Sequence, residues 1–169
     1  ESELKVQKAI ESKPDLIMLA NHGVVFGANS INKITELMID FERRVSKVIR
    51  LVDIPIKPAH YEKVQSYSEY NFIENATIKS LAFDQRAISI LSSGTLYPDH
   101  VVFLGAGPIC VFNIDEFEGY MEAVRKDKVE NIEKVVVVKN LGVFLLRSLK
   151  KGSEEMLYCL ASVLLRLDS

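Results

Sequence analysis

Two stretches of this chain share one layout. L-I-M-L-A-N-H-G-V-V-F (residues 16 to 26) and V-V-V-V-K-N-L-G-V-F-L (residues 135 to 145) each read as an apolar strand, an Asn-x-Gly turn and a second apolar strand. The match continues at the same offset into the amphipathic segments that follow. There Leu37, Met38, Phe41, Val45 and Val48 fall on Met156, Leu157, Leu160, Leu164 and Leu167. A strand-turn-strand-helix unit thus occurs twice. Asn21 and Gly23 follow from turn geometry, since both residues tolerate the backbone a tight turn needs. His22 does not, because the second copy has Leu141 in its place. The histidine is either half-buried and satisfied by a backbone carbonyl, or it is presented as a metal ligand or an acid-base group.

The remaining pattern fits a mixed sheet covered by helices. Leu4, Val6, Ala9 and Ile10 suggest a short helix closed by Lys13-Pro14. Strands are expected over Leu16 to Ala20 and Val24 to Gly27. Ser30 caps a helix whose apolar residues run from Ile34 to Val52, ended by Pro55 and Pro58. Residues 61 to 92 read as helical until Ser92-Ser93-Gly94. Further strands are expected at Val101 to Leu104, Ile109 to Phe112, Val135 to Val138 and Val143 to Leu146. Asp115 is expected to cap one helix, and Ser153 to start the last, with Glu154 and Glu155 in its first turn. Tight strand pairs among helices make the class α/β. No linker rich in Gly, Ser or Pro interrupts residues 1 to 169, which read as a single domain.

Composition excludes several function classes. A formal net charge of -2 over 169 residues gives no basis for nucleic-acid binding. No apolar run approaches the ~20 residues of a membrane span, and no signal peptide is expected. Cys110 and Cys159 lie in apolar segments and read as reduced core residues of an intracellular protein. Gly105-Ala106-Gly107-Pro108 is not a dinucleotide fingerprint, because Pro108 and a strand follow the glycines instead of a helix. The Walker A, C-x-x-C and G-x-S-x-G motifs are missing from the sequence. Arg43-Arg44 reads as a solvated helix face, and His60 as a surface residue at a helix start.

Pro98-Asp99-His100 admits two readings. Asp99 accepts a backbone hydrogen bond in a turn and His100 starts a strand, or the pair reaches toward a cleft near His22.

L-x-x-L-A-N-H-G-V-V-x-G-A, followed by a helix carrying Glu42, resembles the class II aldolase/adducin family. S-G-T-L-Y-P-D-H-V-V (93 to 102) and the second Asn-x-Gly unit resemble the aldolase part of bifunctional rhamnulose-phosphate aldolase/short-chain dehydrogenase proteins. The resemblance implies a three-layer α/β/α domain with a mixed central sheet. It implies a divalent metal, usually zinc, with His22 as one ligand. Asn21, Gly23, Asp99 and His100 become possible site-lining residues. The implied activity is cleavage of a small sugar or sugar phosphate, a lyase reaction through a metal-stabilised enediolate. A cytoplasmic homo-oligomer is expected. An epimerase or isomerase of the same chemistry, or a non-catalytic assembly or binding domain as in adducin, are the alternatives. The family's H-x-H ligand pair and its acid-base residue precede the N-H-G motif, and this sequence has no H-x-H. The chain, which begins at Glu1, is therefore expected to lack the N-terminal part of the domain. The sequence identifies no catalytic residue.

Overall fold

The computed structural model describes residues 7, 11 to 19, 23 to 57 and 60 to 167. The chain divides into two compact units, Glu1–Val48 and Ile49–Ser169.

In the first unit, β1 (Leu16–Leu19) and β2 (Gly23–Phe26) form an antiparallel hairpin with Leu16 opposite Phe26 and Leu19 opposite Gly23. The Gly27 amide donates to the Asp15 carbonyl at 3.0 Å and closes its open end. Helix α1 (Ile31–Val45) starts as expected, with the Ser30 side chain accepting from the Lys33 amide. Asp40 pairs with Arg43 and Arg44 on its solvated face. Phe26 and Phe41 meet edge to face at 5.7 Å, joining helix to hairpin. Most of the apolar side chains stay open: Met18, Met38 and Ile39 are all exposed. The expected short helix at residues 4 to 10 falls largely outside the described residues.

The helix was expected to run to Val52 but stops at Val45. In the second unit the Arg50 amide donates to the Leu165 carbonyl at 2.9 Å, and its guanidinium reaches the Leu167 carbonyl and the Asp84 carboxylate. These bonds take the place of the next helical turn. The β-branched Val48, Ile49 and Val52 do little to hold a helix there.

The second unit is built on a four-stranded mixed sheet of order β3-β6-β5-β4. Its strands are β3 (Tyr70–Phe72), β4 (Cys110–Phe112), β5 (Val135–Val138) and β6 (Gly142–Leu146). β4 lies parallel to β5, and the other pairs are antiparallel. All four valines of β5 are buried, as expected of a central strand covered on both faces. Val135 and Val137 pack with Leu157, Leu160 and Leu164 of the last helix, and with Ile78, Leu81 and Leu91. Val136 and Val138 pack with Phe117, Met121, Tyr67 and Tyr70. The molecule is thus mixed α/β. Among the described residues no helix is long and apolar enough to cross a membrane.

Three local expectations are corrected. Residues 61 to 92 are not one helical region. They hold a 3₁₀ turn (Tyr61–Ser66), β3, and the short helices α2 (Ala76–Lys79) and α3 (Gln85–Leu91). Asn75 and Asp84 cap these helices and so divide the run. Val101 to Leu104 is not a strand but part of α4 (Pro98–Leu104). Pro98 is pre-set for a first helical turn, and the buried residues His100 and Leu104 stand four apart, one helical repeat. Helix α5 (Ile114–Arg125) is capped by Asn113, not Asp115. Asn113 and Glu116 each accept the other's amide, at 2.9 and 2.7 Å, in a reciprocal box. The last helix, α6 (Ser153–Leu164), begins where expected.

Candidate functional site

The two hairpins share one register. Leu16 opposite Phe26 corresponds to Val135 opposite Leu145, and Leu19 opposite Gly23 corresponds to Val138 opposite Gly142. Their turn glycines nevertheless serve different ends. Gly23 has φ +120° and nothing within 4 Å of where a Cβ would stand, so its backbone conformation demands glycine. Gly142 lies under the Phe72 ring, which leaves no room for a Cβ. Leu141 is 1% exposed and belongs to the core beside Phe144. Leucine at this turn position is therefore a packing residue in the second hairpin. Asn21 and His22, the corresponding residues of the first, lie outside the described residues.

Asp99 and His100 sit in the first turn of α4, in the second unit, whereas Gly23 belongs to the first. Asp99 is exposed and His100 fully buried. Neither ring nitrogen of His100, nor the Tyr97 hydroxyl nearby, has a hydrogen-bond partner among the described residues. The two rings are 6.0 Å apart. Burial pushes the His100 imidazole below its ordinary pKa and so favours the neutral form. Asp99 and His100 thus do not form a carboxylate–imidazole pair. Among the described residues no three His, Cys, Asp or Glu side chains gather as a metal would require. The described residues do not make a metal centre by themselves.

Polar groups converge elsewhere. A cavity of about 670 Å³ lies beside the edge strand β3, between the 3₁₀ turn and the segment Tyr70 to Glu74, with Arg147 and Glu154 at its wall. The Tyr61 hydroxyl donates to Glu74 Oε1 at 2.6 Å, and Lys79 Nζ holds Glu74 Oε2 at 3.1 Å. These partners, Tyr61 first, keep the Glu74 carboxyl below its ordinary range, and the same hydrogen bond raises the Tyr61 phenol. The Lys79 ammonium stands 5.6 Å from the Tyr61 ring centre and 5.2 Å from that of Phe72. Arg147 Nε donates to the Tyr70 carbonyl at 3.1 Å, which fixes its guanidinium at the cavity wall. The cavity therefore offers aromatic surface, carboxylates and one anchored cation.

Sequence reading missed Tyr61, Glu74, Lys79 and Arg147. They form no motif and come together only because β6 brings Arg147 back beside β3. No protein-family model matches the chain, and no curated protein or solved structure matches it.

Proposed function

We propose that the chain is part of a divalent-metal-dependent sugar or sugar-phosphate aldolase of the class II aldolase/adducin type, with a three-layer α/β/α domain. The observation that carries this reading is the pair of register-matched hairpins: one buries Leu141 at its turn, the other has His22 there. A turn that accepts leucine does not need histidine for its geometry, which leaves the imidazole available for chemistry. The mixed sheet with buried residues on both faces supports the proposed layering. In this reading His22 contributes one ligand, and the others come from outside the described residues or from another subunit of a homo-oligomer. Zinc is the proposed metal and the cytoplasm the proposed location. An epimerase or isomerase would share the ligand.

The test uses His22→Leu, which copies the second hairpin and should leave the fold intact. About one divalent ion per chain is expected in the purified protein by elemental analysis. His22→Leu should lose it, together with any metal-dependent cleavage of a sugar phosphate. Equal metal content and activity in both proteins would overturn the assignment.

A second reading, a non-catalytic assembly or binding domain, is favoured by a different observation. Met18, Leu19 and Val25 of the hairpin and Met38 and Ile39 of α1 are all exposed. Exposed apolar side chains of this kind suit an association face. Protein without metal that sediments as an oligomer would support this reading.

A further inference from the structure

We infer that the cavity beside β3 is a binding site for an organic ammonium cation. Independent features of its wall suit such a ligand. The Tyr61 and Phe72 rings stand edge to face, 5.8 Å apart, at the cavity wall. Aromatic faces attract cations through their quadrupole, and do so more strongly where water is displaced. The charges favour a cation as well. Glu62, Glu74 and Glu154 line the cavity against Arg147 alone. Counting Lys79 behind the wall still leaves an excess of one negative charge.

The chain already shows one instance of the recognition. The Lys79 ammonium is held by both rings and by Glu74 Oε2, in the arrangement an incoming alkylammonium would need. Lys79 takes this place from behind, its side chain only 10% exposed, while the Glu74 side chain is 63% exposed. The carboxylate therefore has an open side on which a second ammonium can bond. About 670 Å³ is ample for a small amine and lies within the range of ligand pockets. A purely anionic ligand would meet three carboxylates for one guanidinium. This site is independent of the aldolase reading, since it involves neither His22 nor a metal.

The test is an NMR titration of the full chain, following backbone amides, with n-butylammonium chloride as the probe. 1-Butanol and sodium butyrate serve as neutral and anionic counterparts of the same size. Saturable shifts are expected for butylammonium at residues 61, 62, 71 to 74 and 147, and weaker binding for the other two. Glu74→Gln keeps the side-chain shape, and Tyr61→Leu removes a ring at the protein surface. Each should weaken butylammonium about fivefold. Butanol or butyrate binding as tightly as the amine would overturn the proposal. So would unaltered amine affinity in both folded variants, or amine shifts that map to other residues.

Discussion

The ring of Phe72 occupies the space that a side chain at Gly142 would need: a Cβ there would stand 2.3 Å from Cε2 and 2.7 Å from Cζ. The two residues sit on neighbouring strands, β3 and β6, in one of the unit's two cores. Phe72 also packs edge to face on Phe144 at 5.3 Å, so it has a neighbour to yield against before it can swing away. Gly142→Ala should therefore destabilise the protein by about 2 kcal/mol, the cost of an overpacked core. The check is a double-mutant cycle in urea. Phe72→Leu should make Gly142→Ala much less costly, because the clashing atoms are gone. Additive effects would show that the glycine is needed for another reason. At Gly23 the expectation is the reverse. Its cost is conformational, from φ +120°, so no neighbouring substitution should relieve Gly23→Ala.

His100 sets a second expectation. Its pKa is lowered in the folded state by burial, against 6.5 in the unfolded chain. Below that unfolded value the unfolded chain binds a proton that the folded chain refuses. Stability is thus fully present above about pH 6.5 and falls as the pH drops beneath it, by up to about 1.4 kcal/mol per pH unit for one group. Urea midpoints measured between pH 7.5 and 5 should fall in the native protein. In His100→Leu the slope should flatten over the same range. An unchanged slope would assign the acid sensitivity to other groups.

Local signals account for what was legible in the sequence. The strands around the two Asn-x-Gly turns could be read because each apolar run and its turn are contiguous. Their matched registers could be anticipated from the shared offset. Ser30 marks a helix start through a side chain that accepts from the Lys33 amide within one turn of chain, and Glu154 and Glu155 mark the start of α6 by lying in its first turn. Tyr70–Phe72 was lost because a three-residue strand carries almost no periodicity of its own. Its identity comes from β6, far along the chain. Val101 to Leu104 reads as a strand because β-branched runs favour strands, whereas Pro98 and the burial of His100 and Leu104, one helical repeat apart, select a helix. Asp99 and His100 looked like a pair because they are adjacent. Only packing reveals that one faces water and the other the interior.

The two cysteines were both expected in the core, and the structure separates them. Cys159 on α6 is exposed, and Cys110 on β4 is partly buried. Burial, reinforced by a hydrogen bond with Glu133, pushes the Cys110 thiol up to about 11. Since the thiolate is the reactive form, Cys110 should be almost inert near neutral pH. With iodoacetamide at pH 7.5, fast labelling is expected at Cys159 and labelling at least ~100-fold slower at Cys110. Mass spectrometry of the intact chain resolves the two steps. Cys159→Ser should abolish the fast step and Cys110→Ser the slow one. In urea both cysteines should react at similar rates, because the separation comes from the fold and not from neighbouring sequence. Loss of the fast step in Cys110→Ser would reverse the assignment and place the accessible thiol on the sheet.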